Sequence, residues 1–104
     1  MNEKFGELFQ KSITIINNFT NEISYLSLDS LKNLDPSIDK MAQTIKLVAN
    51  FLKTIASEPF YDENKAINIF QCSLIMERMA ASVKDNNLKE FRSLLKELEK
   101  HAQY

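Results

Sequence analysis

Apolar residues recur along this chain at steps of three and four, in four blocks, which is the spacing of one face of a helix. In the first block Phe5, Leu8, Phe9, Ser12, Ile16, Phe19, Ile23 and Leu26 line one side of a helix predicted over residues 3–26. Its other side carries Glu7, Gln10, Thr14, Asn17, Asn18 and Tyr25. Asn2 is placed to cap it, and Glu3 and Glu7 suit the positive end of the helix dipole. The leucines then change phase at Leu28, Leu31 and Leu34. That predicts a break near Ser27 and a link through Asn33, irregular or a single helical turn.

Asp35-Pro36 is the clearest punctuation, a favoured N-cap followed by a residue suited to the first helical position. It predicts a second helix over 36–57. Ile38, Met41, Ile45, Val48, Leu52 and Ile55 alternate there by three and four, and Leu47 and Phe51 widen the seam. Pro59 disfavours helix in the residue before it, so the helix stops near Glu58. Phe60 and Tyr61 form an aromatic corner. Asp62 caps a third helix over 63–84, with Lys84 in its last turn. In that helix Ile69, Phe70, Cys72, Leu74, Met76, Met79, Ala80, Ala81 and Val83 spread over most of the circumference. Only Asn64, Asn68, Gln71, Arg78 and Ser82 make a polar strip. Asp85-Asn86-Asn87 is a turn, and Asn87 with Glu90 has the spacing of a capping box. The fourth helix, 88–102, has a narrow stripe of Leu88, Phe91, Leu94, Leu95, Leu98 and Ala102 opposite a lysine and glutamate face.

Short connections between such helices favour antiparallel neighbours. The expectation is an all-α, antiparallel up-down four-helix bundle forming a single domain over residues 1–104. One glycine and two prolines in 104 residues fit long helices and disfavour turn-rich β architectures. The widths of the stripes are unequal. An outer helix needs an apolar stripe a little over ~100° wide, and the second and third helices carry roughly twice that. One core does not cover both flanks unless the link at 27–34 or a partner helps, and an uncovered apolar flank usually marks an interaction site. The residues expected to meet a polypeptide partner, or a second copy in a homodimer, are Leu47, Phe51, Phe70, Ile75, Met76, Glu77 and Met79.

Glu77 admits two readings: a boundary position with its carboxylate in water, or a charge facing a groove or subunit interface. Met41, Met76 and Met79, with Phe51, Phe60 and Phe70, fit either plain core or an adaptable binding surface. Charge narrows the partners. The net charge is −1, with eleven lysines and only two arginines, so the basic footprint of nucleic-acid binding is missing. No run approaches the ~18 apolar residues of a membrane span. The amino terminus lacks the apolar run of a signal peptide. The sequon at Asn18-Phe19-Thr20 reads as accidental without secretion. One cysteine suits a reducing compartment, so a cytoplasmic protein is expected.

Candidate chemistry is sparse. Cys72 falls in the apolar arc and reads as a packed thiol, because a reactive one needs an electropositive, partly exposed setting. His101 is the single histidine, with Glu97 four residues before it. A metal site needs three or four ligands, and the sequence supplies no others. Gly6 is alone, so no phosphate-cradling loop exists. Neither a cofactor nor a metal is expected. The segment MERMAASVKDNNLKEFRSLLKELEKH, 26 of the 104 residues, is similar in its helical patterning to hairpins of flagellar export chaperones. The reading is a non-catalytic interaction module of adaptor, export-chaperone or anti-host-factor type, bacterial or phage. A bacteriocin-type immunity protein and a metal- or thiol-dependent enzyme using His101, Cys72 or Glu77 are the alternatives.

Overall fold

The structure is a computed structural model that describes residues 2–21, Leu31, 36–59 and 62–102; for 2–4 and Asn21 it describes the backbone only. Four helices make up the fold: α1 (Asn2–Asn21), α2 (Ile38–Ala56), α3 (Glu63–Lys84) and α4 (Leu88–His101). Each packs on its neighbours in chain order, and α1 closes the ring against α4, giving an all-α up-down bundle. The radius of gyration, 12.9 Å, is that of a compact chain of this length.

The ends of the helices follow from single residues. The Asn64 amide donates to the Asp62 carboxylate at 2.9 Å, which starts α3. At its far end Asn86 takes φ 54°, the left-handed conformation that asparagine tolerates best after glycine. The Asn86 amide then reaches the Val83 carbonyl at 3.0 Å and the Asn87 amide reaches Ser82 at 2.8 Å, the paired bonds of a Schellman stop. Asn87 immediately opens α4, its side chain accepting from the Glu90 amide at 3.1 Å. Two adjacent asparagines thus end one helix and begin the next.

The start of α2 differs from expectation. Ser37 is the N-cap, with extended ψ 163°, so Pro36 lies outside the helix and not at its first position. The Ser37 side chain makes no capping bond; its carbonyl accepts from Met41 at 2.8 Å. Asp35 and the expected break at Ser27 lie outside the described residues, as do residues 22–26 of the expected first helix. Asn2 is the first helical residue of α1, not its cap. Leu31 sits in one 3-10 position, half-buried against the core.

The buried face of α1 is rotated from the expected stripe. Ile13 and Asn17 are fully buried, and Leu8 only partly. The polar residues on that face satisfy themselves locally: the Ser12 hydroxyl donates to Phe9 at 2.7 Å and that of Thr20 to Ile16 at 2.9 Å. Phe5 meets Phe91 edge to face, centroids 5.6 Å apart, and ties α1 to α4.

The most extensive helix contact is α2 on α3. Small residues recur there every seven positions on both helices: Ala42, Ala49 and Ala56 on α2, Ala66, Ser73 and Ala80 on α3. Ala56 and Ala66 line the same groove at one end. Farther along, Lys53 meets Glu77 and Lys46 meets Lys84, so the two helices run antiparallel with this side of α3 toward α2, and Ala42, Ala49, Ser73 and Ala80 are all fully buried. Small side chains let two helices approach closely. Ser73 needs no partner across the seam, since its hydroxyl turns back to the Phe70 carbonyl at 2.6 Å.

This seam decides which way α3 faces. Hydrophobicity alone hardly distinguishes its sides. With Ser73 and Ala80 turned to α2, the half-circle holding Ile69, Cys72, Met76, Met79 and Val83 fills the core. Ser82, expected on the polar strip, is buried with them, its hydroxyl donating to Met79 at 2.7 Å. A larger side chain in the seam therefore destabilises even though it is more apolar. Ala49→Leu is expected to lower unfolding free energy in urea by about 1–3 kcal/mol through overpacking. An unchanged or higher midpoint would mean the helices do not meet there.

Candidate interaction surface

Turning that half of α3 inward leaves its other half outward. Among the described residues the large hydrophobics that stay exposed are Leu47 (68% exposed), Ile67 (56%), Phe70 (45%) and Leu74 (38%). The last three follow one another on α3 at steps of three and four, so they share one stripe. Ala81, also exposed, continues it one heptad beyond Leu74. Beside Ile67 and Phe70 lies an open groove of about 510 Å³ between the end of α2 and the start of α3, lined also by Lys53, Ala56, Ser57, Ala66 and Gln71.

The seven residues named from sequence divide. Leu47 and Phe70 are exposed, and Phe51 is half-buried against the core. Ile75, Met76 and Met79 are buried in the chain's own core, out of reach of any partner in this conformation. They belong to the inward half of α3, where the seam with α2 turns them. Leu47 stands apart from the α3 stripe. It is a third of a turn around α2 from Lys53, which borders the groove, and so faces away from it. A singly exposed leucine is ordinary. The sequence reading lacked Ile67 and gave Leu74 no partner role. The seven-residue spacing of Ile67, Leu74 and Ala81 was the signal for both.

Charge flanks the stripe on both sides. On the α2 side Glu77 pairs with Lys53, both half-exposed. Glu77 Oε1 is itself closed off from water, and the Lys53 ammonium is its partner. Exposed pairs of this kind contribute little, ~0–1 kcal/mol. Farther along the same edge, contact with the Lys84 side chain and its charge hold the Lys46 ammonium below the ordinary lysine range, while Glu77 acts against them. On the α4 side Arg78 reaches Glu90 at 3.5 Å and Glu97 at 3.7 Å. Glu97 is thus engaged by an arginine of α3, and His101 is half-buried at the end of α4. A second, smaller groove of about 320 Å³ between α1 and α4 is lined by Gln10, Lys11, Thr14, Ile15 and Glu99.

Among the described residues no group of three or more His, Cys, Asp or Glu side chains converges. No described helix is long and apolar enough to cross a membrane. Cys72 is fully buried, and burial pushes its thiol up to about 12. A thiol so placed is a poor nucleophile.

The raised thiol fixes the sign of a pH effect. Below pH 9.0, its ordinary value, folded and unfolded chains both keep the proton and the stability is fully present. Between there and about 12 the unfolded chain loses the proton and the folded chain keeps it, so stability falls as pH rises. The limit is about 1.4 kcal/mol per pH unit. The unfolding free energy of the native chain minus that of Cys72→Ala is expected to decline across this window; a flat difference would mean an exposed thiol. No protein-family model, no curated protein and no solved structure matches this chain.

Proposed function

We propose that this chain is a non-catalytic interaction module that binds an amphipathic helix of a polypeptide along the outward stripe of α3. One observation carries the reading: Ile67, Phe70 and Leu74 stand outward on successive turns while smaller residues of the same helix are buried. A helix laid along such a stripe is the helix-in-groove mode of recognition, read by anchors three, four and seven residues apart. The groove beside Phe70 gives a partner side chain a place to enter. Gln71 and Arg78 on one edge and Lys53 on the other supply a polar rim. This is the physical type of an assembly adaptor or export chaperone, working in a reducing compartment.

Magnitudes limit the affinity. Fully burying a large apolar side chain contributes about 1.5–3 kcal/mol, and these three are already partly buried. The stripe alone therefore supplies only a few kcal/mol, against about 8 kcal/mol for a micromolar complex. The rim has to contribute, and binding should be modest and salt-sensitive.

Charge placed at four positions tests the reading. Ile67→Asp and Leu74→Asp are expected to keep the circular dichroism and melting of the native bundle, within about 1 kcal/mol, since they lie at the surface. Both should lose polypeptides that the native chain captures and should weaken binding of a hydrophobic dye. Leu47→Asp, at the most exposed of these leucines, should change neither. Met76→Asp should unfold the chain, because it buries an unpaired charge. Capture and dye binding that are the same in all folded variants would remove the stripe as the site.

A further inference from the structure

The stripe of α3 complements itself, and this points to one occupant. We infer that a second copy of this chain docks on it, α3 against α3, antiparallel, about a two-fold axis that crosses the helix at Leu74. The inference rests on the reading of the stripe as a helix-binding surface and names what fills it.

Three features of the face fit that axis. The first is shape. An axis at Leu74 sets that side chain against its own counterpart. Ile67, seven residues before, then falls opposite the partner's Ala81, seven residues after, so a large side chain meets a small one. A parallel pairing would set Ile67 on Ile67 and leave Ala81 facing Ala81 across a gap.

The second is charge. The amino end of the stripe carries Asp62 and Glu63, both exposed, and the carboxyl end carries exposed Lys84 and Asp85, with Lys46 beside Lys84 from α2, so the two ends are net acidic and net basic. Lys46 and Lys84 crowd one another, and the nearby carboxylate, Glu77, is already held by Lys53. In an antiparallel pair about this axis, like edges of the two helices meet. The α2-side edge therefore brings Lys84 toward the partner's Glu63, and the partner's Lys84 toward Glu63, while Asp85, level with that same Glu63, offsets part of the attraction. A net charge of −1 on each copy adds little repulsion.

The third is multiplicity. A two-fold interface is isologous, so each contact off the axis is made twice. A stripe too small to hold one foreign helix tightly thus gains a second set of anchors from its own copy. An acidic or neutral foreign helix would satisfy only one end.

Cross-linking and sedimentation, both on the full chain with Cys72→Ala as background, test this. Under mild oxidation Leu74→Cys is expected to give a disulfide-linked dimer readily. Leu47→Cys, more exposed but off the stripe, should link at least tenfold more slowly. A mixture of Ile67→Cys and Ala81→Cys should link to each other faster than either links to itself. In sedimentation the mass should rise from 12.0 kDa toward twice that value with concentration, and Leu74→Asp should stay at 12.0 kDa. Lys84→Glu should weaken association roughly tenfold, and adding Glu63→Lys should restore it, which a merely structural lysine would not do. A mass of 12.0 kDa up to several hundred micromolar, linking no faster at position 74 than at 47, or no rescue by the charge swap would overturn the second copy as occupant. If Ile67→Asp and Leu74→Asp still abolished polypeptide capture in that case, the stripe would stand as a site for a foreign helix. If they did not, both readings would fall together.

Discussion

The close approach of α2 and α3 is the constraint on which the rest of this bundle depends. Ala42, Ala49 and Ala56 recur on one helix, and Ala66, Ser73 and Ala80 on the other, in matching heptad steps. A seam of small residues has little apolar area to bury and no strong hydrophobic asymmetry. Its contribution is proximity: two backbones brought close gain dispersion contacts along their whole length. Once the seam is closed, the rotation of α3 is fixed, and with it the inward set of Ile69, Cys72, Met76, Met79 and Val83.

The functional surface is the remainder of that choice. A helix whose apolar residues run nearly all the way round has to leave some of them outside wherever it is packed. The seam determines that Ile67, Phe70 and Leu74 are the ones left, and not Met76 or Met79. Orientation also determines the electrostatics. Lys53 and Glu77 meet over the seam, and Lys46 and Lys84 are pushed together at its far end because both flank it. The α4 side is different in kind: Arg78 is shared between Glu90 and Glu97, which leaves a polar border beside the stripe.

Much of the architecture was legible in the order of residues. Asp62, the Asp85-Asn86-Asn87 turn and the narrow stripe of α4 each carry a local signal, and each element lies where that signal places it. The surplus of apolar circumference on the third helix was legible too, since Ile67, Phe70 and Leu74 of α3 stay exposed; on α2 only Leu47 does, and Phe51 packs against the core. Which residues form the surplus was not. Hydrophobic periodicity ranks positions by greasiness, and on that scale Met76 and Leu74 are alike. Packing ranks them by shape against a neighbour, and Ser73 and Ala80 outrank both for the side facing α2. Asn17 and Ser82 misled for the same reason, being polar by composition and buried in fact. At the start of α2, Pro36 was a good local candidate for the first helical position, but the chain stays extended through Ser37.

Hydroxyl-radical footprinting of the native chain, at a concentration low enough to hold it as a monomer, measures the rotation of α3 directly. Methionine is intrinsically far more reactive toward oxidation than leucine or phenylalanine, so burial has to reverse the natural order. Phe70 and Leu74, 45% and 38% exposed, should be modified at a substantial fraction of their unfolded rates while Met76 and Met79, fully buried, are strongly protected. Ready oxidation of Met76 and Met79, with Phe70 and Leu74 protected, would mean that α3 faces the other way and that the small-residue seam does not set the fold.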